Sequence, residues 1–205
     1  SGSGGIWNSG LSLGTAGQVV KVNSGASALE FGTISSGGLV QVASASGNGT
    51  TAQAFDNCFS STYEHYKIVA NISTSSTTQV YMRLQNASNT EIQTGYYGAG
   101  TTQSRSSGST GGGNMGFWDA SEFQVQENID TGNNYFGTYI IHVMSPFNSS
   151  ARTNMIVDYT AFDGSNFRSV FVGGAQGSAQ SNAGFRFFSS ANIQSASTFK
   201  IYGFN

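Results

Sequence analysis

The chain has 205 residues, a formal net charge of −2 and 13% aromatic residues, enough for the core of one ordinary domain. Only 9% of its residues are Asp, Glu, Lys or Arg, against roughly 25% in an average soluble domain. No basic stripe is present to follow a phosphate backbone, so we expect no nucleic acid partner. No apolar run approaches the roughly 20 residues that cross a bilayer, so we expect no membrane insertion.

Residues 1–37 differ in composition from the rest and predict a short extended N-terminal arm. Large apolar side chains flank a turn at residues 23–26 of this arm: Val19, Val20, Val22, Leu29 and Phe31. A two-stranded hairpin buries too little apolar surface to be stable alone. We therefore expect these side chains to be oligomer contacts, made with copies of the arm from other chains or with the main domain.

Residues 38–205 read as β-strands throughout. Segments rich in β-branched and aromatic residues alternate with turns of Gly, Asn, Asp and Ser. These segments lie at 39–45, 65–72, 78–85, 122–129, 135–144, 153–162, 167–175, 183–190 and 198–204. About eight to ten strands over this length predict an all-β fold, a jelly-roll-like antiparallel β-sandwich. A short helical turn is expected near residues 54–66.

Alternation within these strands separates an inward from an outward face. The inward positions of YIIHVM, residues 139–144, and of NMIVDY, residues 154–159, are expected to meet between the sheets. Both alternating sets of YIIHVM are apolar, which predicts a central strand or a face covered by a neighbouring subunit. The low charge also favours an oligomer, because exposed strand edges usually carry charges that prevent pairing.

No residue pattern picks out a nucleophile or a metal site. The single cysteine, Cys58, has His65 seven residues beyond it, and we expect a small buried thiol rather than a catalytic dyad. His142 lies in an apolar strand and is interpreted as a core or interface histidine. Neither histidine has metal-ligand spacing, and no GxSxG elbow is present. We therefore expect a non-enzymatic protein without a cofactor or a metal.

Paired carboxylates provide another test, because a glycosidase holds two of them about 5–10 Å apart. The candidates are Asp119, Glu122, Asp158 and Asp163. Asp119 and Glu122 are expected where a turn enters a strand, and Asp163 has an ordinary turn role. Hydrolysis of a polysaccharide is therefore the least favoured of the functions considered.

Residues 95–120 predict a long Gly- and Ser-rich loop, and loops of this length are often functional. The candidate ligand-binding residues in it are Tyr96, Tyr97, Arg105, Phe117 and Trp118. Aromatic rings stack on sugar faces while Asn, Gln and Ser bond to hydroxyl groups, which indicates a glycan site. In the alternative interpretation, Phe117 and Trp118 pack beneath the loop and anchor it.

Three stretches of the chain resemble one known family. LGTAGQVVKVNSGASALEFGTISS, residues 13–36, resembles a short motif of tail-fibre and other virion structural proteins of tailed bacteriophages, notably marine phages of cyanobacteria. STFKIYGFN, residues 197–205, resembles the end of the C-terminal β-sandwich of those proteins, and residues 55–73 are similar to that domain too. The resemblance covers nearly the whole chain.

The resemblance implies a homotrimeric fibre or spike component with an attachment motif at 1–37 and a sandwich at 38–205. Its expected location is the virion exterior, on tail or capsid, after assembly in the host cytoplasm. Expected partners are copies of itself, other virion proteins and a host-surface glycan or protein. The alternatives are a purely architectural capsid decoration or capsid-fibre protein and, less favoured, a polysaccharide depolymerase.

Overall fold

The computed structural model describes residues 14–33, 38–106, 108–129, 135–162 and 165–205, and these contain fourteen β-strands and no helix. The strands are β1 (Gln18–Val22), β2 (Leu29–Thr33), β3 (Val40–Ser46), β4 (Ala52–Phe55), β5 (His65–Ile72), β6 (Thr78–Gln85), β7 (Tyr96–Ser106), β8 (Ser109–Ala120), β9 (Phe123–Ile129), β10 (Gly137–Met144), β11 (Arg152–Phe162), β12 (Phe167–Ala179), β13 (Gly184–Ser189) and β14 (Thr198–Phe204). The prediction of an all-β fold is confirmed.

The chain divides into two compact units, Ser1–Gly37 and Gly38–Asn205. The first contains an antiparallel hairpin of β1 and β2. Its turn is closed by the side chain of Asn23, whose Oδ1 accepts hydrogen bonds from the backbone N–H groups of Ser27 at 2.9 Å and Ala28 at 3.3 Å. An Asn side chain that bonds the backbone ahead of it stabilises such a turn without help from a core.

The β1–β2 hairpin has one apolar face. The register places Val20 opposite Phe31 and Val22 opposite Leu29 on this face. Val20, Val22 and Leu29 are exposed, as is Val19 on the opposite face, and Phe31 is half-buried. Exposed apolar residues on so small a hairpin fit the expectation of a further partner. Their role as oligomer contacts stays a prediction.

The second unit contains two antiparallel sheets. The larger has eight strands in the order β3-β14-β5-β10-β11-β12-β7-β8, and the smaller has four in the order β4-β13-β6-β9. Without the hairpins β7–β8 and β11–β12, two interlocked sheets of four strands remain, β3-β14-β5-β10 and β4-β13-β6-β9. The two hairpins lie side by side and extend the larger sheet beyond β10. They are called the inserted hairpins below.

The second unit has twelve described strands, more than the eight to ten expected. The strands that the sequence did not indicate are β4, β7 and β8. β4 is a four-residue strand whose last two residues overlap the range near 54–66 where a helical turn was expected, and that expectation is wrong. Turns follow β4, because Asn57 adopts a left-handed backbone conformation with φ 51° that no helix accommodates.

The core lies on the inward faces of both sheets. Tyr139 and Ile141 of β10 and Val157 and Tyr159 of β11 are fully buried, and the rings of Tyr139 and Tyr159 are 4.7 Å apart. The inward positions are buried as expected, but β10 and β11 are neighbours in one sheet, so their side chains lie side by side on its inner face and do not meet from opposite sheets. The largest aromatic cluster of the core consists of Phe55, Phe59, Tyr66, Phe185, Phe187 and Phe199.

The opposite face of the eight-stranded sheet, called the outer face below, carries the other residues of each alternation. His142 lies on this face beside Lys67, and burial followed by the charge of Lys67 lowers the pKa of His142. The core interpretation of His142 is wrong, because register places it on the face opposite Ile141 and Val143. The outer face also exposes Phe171, directly across the ladder from Asp158.

Candidate functional site

Residues 95–120 form a hairpin and not the loop that the composition predicts. β7 and β8 pair in register from Gly98 opposite Phe117 to Ser106 opposite Ser109. The residues of β8 nearest the turn are exposed, so this edge strand has few inward positions for apolar residues to mark. Composition therefore gave no sign of alternation, which is the signal by which strands are recognised.

A β-bulge at the base of this hairpin decides which aromatic side chains face outward. Tyr96 pairs with Ala120 and Gly98 with Phe117, so the single residue Tyr97 lies opposite two residues of β8, Trp118 and Asp119. Asp119 absorbs the extra residue with a left-handed φ of 51°.

The bulge leaves Tyr97 and Trp118 together on the outer face. Their rings meet edge to face with centroids 4.9 Å apart, and Trp118 is 85% exposed. Tyr97 donates a hydrogen bond from its hydroxyl to Asp119 Oδ1 at 3.3 Å. Partial desolvation, and then the charge of Asp119, raise the pKa of Tyr97, so its hydroxyl remains protonated at neutral pH. Together the two rings form an exposed aromatic patch, and contiguous exposed patches mark interaction sites more reliably than single exposed residues do.

A depression of 370 Å³ lies beside this aromatic pair. It is lined by Tyr97, Trp118, Arg152, Ala175 and Gly177, all contributed by the inserted hairpins. Gly177 is needed here, because a Cβ at this position would come within 2.5 Å of the Tyr97 ring. The small residues of β12 thus make room for the aromatic ring and leave the floor open.

A second, shallower depression of 450 Å³ continues from the first and shares Tyr97 and Ala175 with it. Register explains the alignment, since Met144, Asn154, Ala175 and Tyr97 face one another across β10, β11, β12 and β7. Gly173 forms part of the floor, and a Cβ built there meets no atom within 4 Å. The two depressions together are called the trough below.

The other predicted ligand-binding residues lie elsewhere. Tyr96 is fully buried, and its hydroxyl donates to the Ile92 carbonyl at 3.0 Å and accepts from the Leu84 N–H at 2.8 Å. Phe117 packs edge to face against Phe123 with centroids 5.0 Å apart, as the anchoring alternative expected for it. Trp118 does not anchor anything in this way.

Arg105 is remote from the trough. It lies near the turn of the β7–β8 hairpin, opposite Thr110 and Phe167. Seven residues of β7 lie between it and Tyr97. The structure therefore brings together two of the five predicted residues, Tyr97 and Trp118.

The sequence reasoning missed Arg152 of β11 and the Gly173–Gly177 stretch of β12. Arg152 comes from a strand that lies more than thirty residues beyond Trp118 in the chain, and only pairing between the two inserted hairpins brings them to one site. The Gly-Gly pair within a strand was the available signal, because glycine in a strand interior often marks a close approach of a ligand or another backbone.

The candidate carboxylates do not assemble into a pair around one cavity. Asp119 bonds Tyr97 on the outer face, whereas Glu122 accepts a hydrogen bond from Arg83 at 2.9 Å on the smaller sheet. Asp158 lies on the outer face of β11, and Asp163 lies outside the described residues. This arrangement favours structural roles for Asp119 and Glu122.

Glu122 belongs to a charged cluster on the smaller sheet. Arg83 also bonds Glu91 at 2.8 Å, and Glu91 in turn bonds Arg186. Burial by itself would raise the pKa of Glu91, but the hydrogen bonds and charges of Arg83 and Arg186 outweigh it and hold that pKa below its ordinary value. The guanidinium of Arg83 also lies 4.4 Å from the centroid of the Phe188 ring.

We expect Glu91→Gln to lower the free energy of unfolding by about 1–3 kcal/mol at pH 7, because two charge-assisted hydrogen bonds lose their charge. The folded pKa of Glu91 lies below its unfolded value of 4.5, so the stabilisation is present above pH 4.5 and disappears as the pH falls through the folded pKa. Urea unfolding at pH 7 and pH 3 measures this. A deficit of equal size at both pH values would contradict it; Glu64→Gln, at an exposed carboxylate, is the control.

Cys58 and His65 do not present a catalytic pair. Cys58 packs against the core, and burial raises the pKa of its thiol to about 12, which leaves it protonated and a weak nucleophile. His65 lies at the edge of the outer face, with its ring 5.6 Å from that of Phe204. Across the described residues, no group of three His, Cys, Asp or Glu side chains is placed to hold a metal ion.

Within the described ranges, no helix has the length and apolar character that a membrane span requires. Comparisons with protein-family models, with curated proteins and with solved structures found no match to this chain.

Proposed function

We propose that this chain is a non-enzymatic adhesion module of a virion fibre or spike, which binds a glycan of the host surface in the trough. The observation that carries the proposal is the exposed ring of Trp118, held edge to face by Tyr97 beside an open floor. A rigid, exposed aromatic ring offers an apolar surface to the C–H face of a sugar, at low conformational cost.

The architecture supports a division between scaffold and site. We infer that the two interlocked four-stranded sheets are a jelly roll, because two sheets of four strands joined by Greek-key connections are its hallmark. The first depression is lined only by the inserted hairpins. In recognition proteins, a rigid scaffold usually positions the segments that carry the binding residues.

The surface chemistry also suits a glycan. The trough combines apolar groups, from Met144 and Trp118, with polar groups from Asn154, Tyr97 and Arg152. A few placed polar groups among apolar ones are typical of small-molecule sites, and the first depression falls within their usual size range. Apart from Arg152, the described lining of the trough has no charged side chain, which suits a hydroxyl-rich ligand.

The virion location, the homotrimer and the other virion partners remain part of this proposal and rest on the family resemblance of residues 13–36 and 197–205. The apolar face of the β1–β2 hairpin supports the homotrimer, because copies of the arm packed together would bury the exposed Val20, Val22 and Leu29. Assembly in the reducing host cytoplasm agrees with a single free cysteine.

A second candidate function is a purely architectural role on the capsid. Exposed aromatic residues on the outer face, away from the trough, favour it: Phe162, Phe167 and Phe171. Apolar patches of this kind mark contacts with other proteins. A reconstruction of the whole particle distinguishes the two, because an adhesion module leaves the trough facing solvent and an architectural protein has it covered by a neighbour.

We expect Trp118→Ala to weaken glycan binding about 30-fold, the effect of losing roughly 2 kcal/mol at a central aromatic contact. The measurement is binding of the full chain to an array of purified bacterial capsular and lipopolysaccharide glycans. The change should leave the melting temperature unaltered, because Trp118 is 85% exposed.

Phe147→Ala is the matched control, since this half-exposed ring lines a separate cavity of 280 Å³. It should bind as the unmodified chain does. Wild-type protein that binds no glycan on the array would overturn the adhesion function. Loss of binding in Phe147→Ala, with Trp118→Ala unaffected, would move the site to the other cavity.

A further inference from the structure

We infer that the trough is specific for acidic glycans, with a sugar ring on Trp118 and a carboxylate of the same chain of sugars on Arg152. The inference rests on the proposed function and adds the chemical class of the ligand. It depends on three features: the free guanidinium of Arg152, the hydrogen bond that engages Asp119 beside the site, and the shape of the floor.

Arg152 is an available cation in a chain that has few. It lines the first depression and is exposed, and it forms no ion pair or side-chain hydrogen bond with any described residue. Arg83 and Arg186 are different, because Glu91 and Glu122 already neutralise them. The guanidinium of Arg152 therefore keeps its full donor set for a ligand.

The acid nearest the site, Asp119, is already engaged by the hydroxyl of Tyr97 at 3.3 Å. Asp119 lines neither depression. An anionic ligand therefore meets Arg152 and the polar edge of Tyr97 before it meets the carboxylate. Among the described residues that line the two depressions, Arg152 alone carries a charge, and it favours a single negative group on the ligand.

A carboxylate matches one arginine better than a multiply charged phosphate does. The planar guanidinium donates two parallel hydrogen bonds to the two oxygens of a carboxylate. One cation balances one anionic charge, whereas a phosphate monoester brings close to two. A sulfate ester has one charge as well but a tetrahedral shape, and the experiment below separates it from a carboxylate.

The floor between Arg152 and Trp118 consists of small residues. Ala175 and Gly177 lie there, and the trough continues over Gly173, where no atom lies within 4 Å of the Cβ position. Its two parts, of 370 Å³ and 450 Å³, are each of ligand size. Two adjoining open depressions of this size fit a stretch of polymer better than a single sugar.

The probes are oligomers of galacturonate, mannuronate, guluronate and glucuronate, each compared with its methyl-esterified counterpart. A sulfated dextran, which carries sulfate esters on an otherwise neutral polymer, is tested alongside. Binding of the full chain is measured by calorimetry at 50 mM and 500 mM salt. We expect at least one acid oligomer to bind roughly tenfold more tightly than its ester, which is the effect of one charge-assisted bidentate contact. High salt should reduce this preference.

Arg152→Gln should remove the preference for the acid over the ester, with the melting temperature unchanged because the residue is exposed. Arg105→Gln, which changes an arginine remote from the trough, should preserve the preference. Equal preference in Arg152→Gln and in the unmodified chain would overturn the inference.

Two other outcomes separate this inference from the proposed function. If no acid oligomer binds more tightly than its ester, or the sulfated dextran binds best, the carboxylate specificity is wrong. Neutral glycans that bind on the array and lose affinity in Trp118→Ala would then still support the adhesion function. If no glycan of either kind binds, the proposed function fails together with the inference.

Discussion

Phe185→Ala is expected to lower the free energy of unfolding by about 3–5 kcal/mol, the usual cost of deleting a buried phenylalanine. Phe185 is fully buried on β13, and its ring stacks on Phe55 at 4.9 Å and on Phe59 at 5.5 Å. It also meets Phe187 edge to face at 5.4 Å. The cavity left by its removal cannot collapse easily, because the neighbouring rings belong to different strands and turns.

The matched control for this prediction is Phe188→Ala on the same strand. Phe188 lies on the opposite face of β13, half-buried, where it stacks on Tyr81 at 5.5 Å and lies beneath the Arg83 guanidinium. We expect its loss to cost about 1 kcal/mol, since aromatic and cation–π contacts at partly exposed sites contribute about that much. Denaturant unfolding monitored by circular dichroism measures both. Equal costs would mean that the core is not where the fold places it.

Gly174→Ala is expected to destabilise the second unit by about 1–3 kcal/mol or more and to weaken glycan binding as well. A Cβ at this position would lie 2.1 Å from the Tyr97 carbonyl oxygen and 2.8 Å from Gly98 Cα. Both atoms belong to the backbone of β7, so no side-chain rotation relieves the overlap. β7 has to move away from β12, and Tyr97 moves with it.

Gly173→Ala is the control for this prediction, because the neighbouring position has no atom within 4 Å of its Cβ. Its φ is not in the left-handed region, so alanine is expected to leave stability unchanged or to raise it by about 0.4–1 kcal/mol. Thermal unfolding compares the stability of the two variants, and calorimetric binding of Gly174→Ala is compared with that of the unmodified chain, because Gly173 itself lines the trough. If Gly174→Ala proves as stable as Gly173→Ala, the close pairing of β12 with β7 is wrong.

Much of the fold could be predicted from the sequence because the core strands alternate strongly. The inward residues of β10 and β11 are large and apolar, so their burial follows from their spacing. β8 could not be predicted in the same way. Its backbone hydrogen bonds are made with β7. Its exposed end has no apolar residue, so the sequence shows no alternation there that would predict a strand.

The candidate site was predictable only in part. The sequence indicated that the aromatic residues near 96–97 and 117–118 matter, but not which of each pair faces outward. Tyr96 is buried and Tyr97 is not. The bulge at Asp119 shifts the pairing of β7 with β8 by one residue, and this shift places Trp118 beside Tyr97 on the outer face. The contribution of Arg152 depends on pairing between distant segments, which no local pattern contains.

The position of the inserted hairpins has a consequence for how such a protein changes over time. Four strands extend one end of the larger sheet, and their inward residues, Val157 and Tyr159 among them, belong to the same core as the rest of the second unit. The trough residues Trp118, Arg152 and Gly173 lie on these strands and make no contribution to the central aromatic cluster. Substitutions at the outward positions of these strands are therefore the natural route to altering the ligand of the proposed site, because the inward positions have to be kept for the core.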